Sequence, residues 1–289
     1  MSASLPETVA GAYRHCEQLA RSHYENFPVA SLFLPKDKRP FLWSIYAFAR
    51  TADDFADEGT LSADERLHRL DDWEVRLRRC AAGQPDGPVF IALADTMERT
   101  GAPPGLFADL LTAFRMDVTV HRYEQFSDLL GYCRCSANPV GRLVLHVFGN
   151  ATERTTVLSD AICTALQLAN FWQDVRVDWA KGRVYVPLED CVRFGYNAND
   201  IGRGRADDAF RLLLQFQVDR TCTMFREGRP LLEEAARPLQ FELALTWHGG
   251  MRILRKIRNQ DYDVLTRRPA LGITDKLAVV TRAILNRQS

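Results

Sequence analysis

Apolar residues recur along this chain at every third or fourth position, with polar residues between them. Such spacing gathers the apolar side chains on one face of an α-helix. A clear case is the run in which Phe107, Leu110, Leu111, Phe114 and Val118 form a single stripe. No segment shows the sustained alternation of apolar and polar positions that is typical of a half-buried strand. The pattern therefore predicts an all-α fold.

Prolines, glycines and capping residues mark where the predicted helices begin and end. Ser62 with Glu65 forms a capping box, Pro28 follows the first helix, and Gly182 follows the most acidic one. The predicted helices cover residues 7–24, 39–57, 62–82, 89–100, 106–120, 127–135, 140–148, 158–178, 188–194, 206–236, 239–262 and 273–286. No linker rich in proline, glycine or serine divides them, so we expect residues 1–289 to form a single domain.

An acidic stripe stands out in the predicted helix 158–178. Asn170, Asp174 and Asp178 recur at every fourth residue and therefore share one face. Taken alone, such a stripe is most often a solvated surface. Surface helices usually pair acids with bases, however, and here an amide and two acids line up on one side. Oxygen ligands in this arrangement suit a hard divalent cation such as Mg²⁺.

A second polar stripe lies upstream, in the predicted helix 39–57. Tyr46, Arg50, Asp53 and Asp57 share one face of it, and most of the remaining positions are apolar. Polar groups on such a helix need partners or a wet cavity, because burying them unpaired is costly. Two such helices facing each other would hold divalent cations between their carboxylates, with Arg50 placed for phosphate oxygens.

A break interrupts the apolar pattern at Ser136, Ala137, Asn138 and Pro139. A proline within a helix leaves backbone carbonyls without their usual partners, and the neighbouring polar side chains then lie deep in the fold. The break is either a structural kink or a means of placing a hydroxyl or an amide beside a reaction centre.

Two further residues lie where contact with a diphosphate is plausible from the sequence. Arg183 follows immediately after the second acidic stripe, and His23 precedes the loop that leads into the first acidic helix. A Gly-x-Gly at residues 202–204 lacks a preceding strand, so a nucleotide-binding loop is not indicated.

The composition limits the classes of function. Of the 289 residues 46% are hydrophobic, and 37 basic residues balance 37 acidic ones, which argues against a nucleic-acid partner. Seven scattered cysteines indicate a reducing compartment rather than a disulfide framework or a zinc site. With no secretory signal pattern and no apolar run long enough to span a bilayer, we expect a cytoplasmic protein that touches a membrane surface at most.

The two stripes match motifs of a known family. Tyr-x-x-x-Arg-x-x-Asp-Asp-x-x-Asp, Asn-x-x-x-Asp-x-x-x-Asp and a following Arg-x-Tyr-x-Pro resemble the squalene/phytoene synthase family over nearly the whole chain. Residues 23–31 and 136–142 look most like its hydroxysqualene synthase branch, which belongs to bacterial hopanoid biosynthesis. The resemblance implies a single bundle of helices around a deep, apolar, lipid-accepting cavity.

The resemblance also implies roles for individual residues. The metal ligands it implies for Mg²⁺ are Asp53 and Asp57 with Asp54 as an accessory, and Asn170, Asp174 and Asp178. The implied contacts to the diphosphate or the reacting cation are Tyr46, Arg50, Gln167, Arg183 and Tyr185. Our own hypothesis adds His23 as a contact to the diphosphate and Tyr132 as an aromatic face that stabilises the cation. Ser136 or Asn138 is our hypothesis for the residue that positions a reacting water.

The implied reaction is the Mg²⁺-dependent conversion of presqualene diphosphate and water into hydroxysqualene and diphosphate, without NADPH, which would make the enzyme a carbon–oxygen lyase. Two alternatives remain open at this stage. One is a prenyltransferase that condenses two prenyl diphosphates head to head, giving presqualene diphosphate, squalene, dehydrosqualene or phytoene. The other is a non-catalytic helical assembly factor, which predicts decayed acidic motifs, whereas all the expected acidic positions are filled here.

Overall fold

The computed structural model describes residues 8–22, 34–57 and 61–286, and over these ranges the chain is helical with no β-strand. The helices are α1 (Val9–Ser22), α2 (Arg39–Asp57), α3 (Ala63–Ala81), α4 (Gly87–Thr100), α5 (Pro104–Thr119), α6 (Phe126–Ser136), α7 (Asn138–Val147), α8 (Glu153–Ala180), α9 (Leu188–Arg193), α10 (Asp208–Gly228), α11 (Leu231–Glu234), α12 (Arg237–Asn259) and α13 (Ile273–Asn286), with a 3₁₀ turn at Ala198–Arg203. The predicted all-α class is confirmed.

The helix limits follow the local signals in the sequence. At the start of α3 the hydroxyl of Ser62 accepts from the backbone N–H of Glu65, and the Glu65 carboxylate accepts from the Ser62 N–H at 2.9 Å, so the capping box is present. The segment 206–236 is not one bent helix as its pattern suggests. It breaks after Gly228, because Pro230 cannot donate a helical hydrogen bond, and the short α11 follows.

The chain divides into two compact units, the first made of residues 1–119 and 139–152 and the second of residues 120–138 and 153–289. That all 289 residues act as one domain stays a prediction. In the first unit α2 packs against α1, α3, α4 and α5. Its core is aromatic: Phe48 stacks on Trp73 with ring centroids 5.9 Å apart and meets Phe107 edge-on at 5.3 Å.

The second unit is built around α8, which spans 28 residues and contacts α6, α10, α11 and α12. Trp172 of α8 is fully buried, and its indole N–H donates to the hydroxyl of Thr221 on α10 at 2.8 Å. Gly228 and Gly250 permit close approach of the neighbouring helices. A Cβ at Gly228 would overlap α8, and a Cβ at Gly250 would overlap the ring of Phe225. The packing therefore holds α8 on several sides.

The two adjacent glycines of α12 allow a matched stability test. We expect Gly250→Ala to lower the free energy of unfolding by about 1–3 kcal/mol, because the added methyl overlaps a buried ring. Gly249→Ala should instead raise it by about 0.5–1 kcal/mol, since nothing lies within 4 Å of its Cβ position and alanine is the better helix former. Urea denaturation of both variants checks this, and a shift of the same sign in both would contradict it.

Candidate active site

In the first unit, the polar stripe of α2 is a self-paired cluster. The Arg50 guanidinium contacts Asp53 at 3.1 Å and Asp54 at 2.5 Å, with the arginine side chain only 15% exposed. Burial raises the pKa of Tyr46 above its ordinary value, and the nearby carboxylates Asp53 and Asp54 add to the rise while Arg50 opposes it. Asp57 is exposed at the end of the helix. The structure thus gathers Tyr46, Arg50, Asp53 and Asp54 closely.

In the second unit, the predicted stripe of α8 is present. The side-chain amide of Asn170 donates to Asp174 at 3.0 Å, and Asn170 itself is exposed. Asp178, one turn further on, is half-buried. Burial raises the pKa of its carboxyl to about 7, and the negative charge of Asp174 adds to the rise, while Lys181, Arg183 and Arg268 oppose it. A carboxylate in this state gains most from a cation.

An arginine that the motifs do not include completes this cluster. The Arg268 guanidinium donates two hydrogen bonds to the Asp174 carboxylate, one from Nη2 to Oδ2 at 3.0 Å and a shorter one from Nε to Oδ1. It lies in the connector between α12 and α13, which α8 also holds through two backbone acceptors: Gln173 donates to the Pro269 carbonyl at 2.6 Å and Arg176 to the Leu265 carbonyl at 2.7 Å. The sequence offered no spacing signal for Arg268, since 94 residues separate it from Asp174.

Asp178 also lines a small pocket of the second unit and is its only charged lining residue. The lining residues are Phe171, Val175, Asp178, Val184, Tyr185, Val186 and Ile201. The segment carrying Tyr185 is held in place by a short parallel bridge, in which the Val184 N–H donates to the His121 carbonyl at 2.8 Å. This segment therefore contains one isolated bridge between Arg122 and Val184.

Aromatic rings form one wall of this region. Phe171 and Tyr185 stack with centroids 3.7 Å apart and planes inclined by 10°. Tyr132 of α6 lies 6.0 Å from each of these two rings, and Tyr123 lies 5.9 Å from Tyr185. The structure therefore places Tyr132 and Tyr185, both predicted site residues, next to each other. Phe171 and Tyr123 belong to the same cluster of rings, although neither was predicted as a site residue.

The two polar residues at the break between α6 and α7 differ in their hydrogen bonding. Asn138 is buried, and its side-chain oxygen accepts from the hydroxyl of Thr164 on α8 at 2.9 Å, so it ties the break to that helix. The Ser136 hydroxyl is buried and has no hydrogen-bond partner among the residues that the structure describes. Ser136 lies one turn after Tyr132 and so shares its face of α6.

The remaining predicted site residues have different outcomes. Gln167 is half-buried on α8, one turn before Asn170. The Arg183 N–H donates to the Asp178 carbonyl at 2.9 Å, and its charge is one of those that lower the pKa of Asp178. His23 lies outside the described residues.

The donor set fits magnesium, although the protein does not form a closed cage. Within the described ranges, no three acidic, histidine or cysteine side chains converge on one point. Magnesium is ordinarily held by one or two carboxylates together with substrate phosphates and water, rather than by the protein alone. Asp174 and Asp178 in the second unit, and Asp53 and Asp54 in the first, supply carboxylates of that kind.

Comparison with known proteins decides the family. A family model described as squalene/phytoene synthase matches residues 20–274. The chain belongs to the squalene/phytoene synthase family. Members of this family are enzymes that act on prenyl diphosphates.

Relatives within the squalene/phytoene synthase family carry different names. A 15-cis-phytoene synthase of Synechococcus elongatus is 32% identical over 96% of this chain and 94% of its own length. A hydroxysqualene synthase of Rhodopseudomonas palustris is 38% identical over 82% of this chain and 80% of its own. The crystal structure of squalene synthase HpnC from Alicyclobacillus acidocaldarius superposes with a TM-score of 0.85, at 44% identity, over 90% of this chain and 98% of that one.

The raised pKa of Asp178 predicts a pH-dependent stability. The folded protein binds a proton at the Asp178 carboxyl more tightly than the unfolded chain does. The ionisation of Asp178 therefore lowers the free energy of unfolding as the pH rises from about 4 to about 7. In EDTA, we expect the free energy of unfolding of the wild type, relative to Asp178→Asn, to fall by about 1–3 kcal/mol over that window and to be level above it.

Urea denaturation of both proteins across the pH range measures this difference. The other acidic residues are common to both proteins, so their contribution cancels in the comparison. Magnesium should reduce the fall, because a cation offsets the charge of the same carboxylate. Curves that stay parallel from acid to neutral pH would show that Asp178 does not titrate as described.

Proposed function

We propose that this protein is a hydroxysqualene synthase, which converts presqualene diphosphate and water into hydroxysqualene and diphosphate with Mg²⁺ and without NADPH. The observation that carries the proposal is the pocket that Asp178 lines together with the stacked residues Phe171 and Tyr185. A group that binds cations thus adjoins an aromatic surface. The identity to a relative named hydroxysqualene synthase, 38%, supports this branch of the family.

The first step is the departure of the diphosphate. The carboxylates and the amide that would hold magnesium are Asp53, Asp54, Asp57, Asn170, Asp174 and Asp178. Bound magnesium would supply positive charge to the departing diphosphate. The residues proposed to bind or orient the diphosphate are His23, Tyr46, Arg50, Gln167, Arg183 and Tyr185. Guanidinium groups suit this task, because their planar donors match pairs of phosphate oxygens.

The second step is to protect the carbocation that remains. The faces of Tyr132, Phe171 and Tyr185 carry negative π-density and attract a cation placed over them. All three side chains are buried, so the surface they form excludes bulk water from a reactive intermediate. Their ring contacts hold this wall in one arrangement.

The last step follows rearrangement of the cation: a single water bonds to it through oxygen, and the water's proton passes to the departed diphosphate. We assign the positioning of this water to Ser136, because its buried hydroxyl has no partner within the described part of the chain and so has a hydrogen bond to offer. Its place on the same face of α6 as Tyr132 supports the assignment. Asn138 is assigned a structural role, since Thr164 already occupies its side-chain oxygen.

The alternative within the family is head-to-head condensation of two prenyl diphosphates, which would make the protein a prenyltransferase. It is favoured by the phytoene synthase of Synechococcus elongatus, whose match extends over 96% of this chain. A non-catalytic assembly role is not favoured, because the acidic positions of both stripes are filled.

Contact with a membrane is also proposed, since the lipid product must leave the protein. None of the described helices is long and apolar enough to cross a bilayer. The contact we propose is therefore peripheral, and residence in the cytoplasm stays a prediction.

The test of the proposed function is a substrate comparison with purified protein. We expect hydroxysqualene from presqualene diphosphate and magnesium, with the same yield whether NADPH is present or absent, and no product in EDTA. Mass spectrometry identifies the products. Presqualene diphosphate, squalene or phytoene formed from farnesyl or geranylgeranyl diphosphate, with presqualene diphosphate itself left unchanged, would replace the proposal by the condensation alternative.

Conservative variants serve as controls for the same assay. Asp53→Asn and Asp174→Asn should each lower turnover by about 100-fold or more, because each removes a negative charge that would hold the magnesium ion on which the diphosphate depends. Asp219→Asn is the matched control, since Asp219 lies on the exposed side of α10 in contact with Arg258 at 2.8 Å. Equal loss in the control would show that the effect is one of folding.

The assignment of the reacting water predicts different effects for the two polar residues at the helix break. Ser136→Ala should lower the share of hydroxylated product by about tenfold, as expected on losing one positioning hydrogen bond. Asn138→Ala should leave the product ratio unchanged and lower the free energy of unfolding by about 1–3 kcal/mol, because Thr164 loses its buried partner. The reverse outcome would transfer the role to Asn138.

A further inference from the structure

One turn of α10 contacts each of the three segments that carry the aromatic wall of the second unit. We call Gln217, Arg220 and Thr221 the anchoring turn. Gln217 and Thr221 are fully buried, and the side chain of Arg220 is only 16% exposed. None of them is among the predicted site residues. Their contacts nevertheless converge on the elements that hold the rings.

The first contact holds the start of α9, which follows the segment that carries Tyr185. The buried carboxylate of Asp190 accepts from Nη2 of Arg220 at 2.7 Å and from Nε2 of Gln217 at 2.9 Å. The same Arg220 nitrogen also donates to the side-chain oxygen of Gln217. Asp190 lies five residues after Tyr185, so these bonds tie the end of the Tyr185 segment to α10.

The second contact holds the start of α6, the helix that carries Tyr132. The guanidinium carbon of Arg220 lies 3.3 Å from the centroid of the Phe126 ring, and Phe126 is the first residue of α6. The backbone N–H of Phe126 donates to the Glu189 carboxylate at 2.7 Å. Arg220 therefore lies where the segment that carries Tyr185 meets the helix that carries Tyr132.

The third contact reaches α8, which carries Phe171. The hydroxyl of Thr221 accepts from the indole N–H of Trp172 at 2.8 Å and donates to the Gln217 carbonyl at 2.8 Å. Trp172 directly follows Phe171, whose ring stacks on Tyr185. The anchoring turn thus contacts all three segments from which the wall is built.

The ion pair within this turn is better explained by geometry than by stability. Apolar side chains of similar volume often replace a buried ion pair without loss of stability, whereas one partner left alone is costly. Burial lowers the pKa of Arg220 to about 10, and the charge of Asp190 and its hydrogen bond oppose the change. Arg220 is therefore charged at neutral pH and needs Asp190 beside it. That requirement restricts the position of α9 against α10.

We propose that Arg220 is a positioning residue, which through Asp190 and Phe126 sets the spacing of the rings of Tyr132 and Tyr185 and so the shielding of the carbocation. The catalytic consequence rests on the proposed function. The positions of the rings are measured without substrate, so failure of one proposal is distinguishable from failure of the other.

The ring positions are tested by fluorine NMR of the full-length protein labelled with 3-fluorotyrosine. Loss of one signal in Tyr185→Phe identifies the signal of Tyr185. We expect Arg220→Gln to shift this signal and to leave that of Tyr13, which lies in the first unit, in place. Phe126→Leu removes the ring beneath the guanidinium but keeps the ion pair with Asp190, and it should shift the Tyr185 signal as well.

The consequence for the reaction is measured with presqualene diphosphate and magnesium. Arg220→Gln should lower the share of hydroxysqualene among the products by about tenfold, because displaced rings shield the cation less well. KM should stay unchanged, since the predicted metal and diphosphate ligands are untouched. Arg220→Lys should restore most of the share, because it keeps a positive charge opposite Asp190. A purely structural role would lower the amount of folded protein without changing the product ratio.

Asp219→Asn is the matched control. Asp219 precedes Arg220 on α10 and contacts Arg258 at 2.8 Å on the exposed side, so its fluorine signals and products should be those of the wild type. An equal change in this control would overturn the proposal. Wild-type signals in both Arg220→Gln and Phe126→Leu would overturn it too, as would a shift of the Tyr13 signal or an unchanged product ratio in a variant with displaced rings. Should the wild type form no hydroxysqualene while the Tyr185 signal shifts as expected, the positioning role stands and only the proposed function is refuted.

Discussion

The main physical constraint in the second unit is the carboxyl group of Asp178, which is partly removed from water. Asp178 lies half-buried at the edge of an aromatic pocket, with Asp174 one turn away adding to the cost of its ionisation. The folded chain itself supplies cationic side chains on one side, Lys181, Arg183 and Arg268. Such a carboxylate would gain from a nearby cation, which is the feature on which the proposed function draws.

The rest of the unit explains how such a charge is kept in place. Helix α8, which carries the acids, packs against α6, α10 and α12. The hydrogen bond from Trp172 to Thr221 and the close approach at Gly228 fix the rotation of this helix against α10. The rotation of a helix about its axis decides which of its side chains line a pocket. These contacts therefore help to position the carboxylates of α8.

The two acidic stripes are neutralised in different ways. In the first unit the compensation is local, since Arg50 pairs with acids three and four residues away on the same helix. In the second unit it is remote, because Arg268 reaches Asp174 from a connector far along the chain. The first arrangement is a property of one helix, whereas the second exists only once α12 and its connector have packed against α8.

The sequence by itself determined the all-α class, most helix limits, the family and both acidic stripes. These features depend on spacing along a helix, which a periodic pattern reports directly, as it does for Asn170, Asp174 and Asp178. Only the tertiary structure decided that Arg268 contacts Asp174, that the ring of Tyr132 lies beside those of Phe171 and Tyr185, and that Asn138 accepts from the hydroxyl of Thr164. Each of these depends on which face of one helix meets another, and partners distant in sequence leave no periodic signal by which to find them.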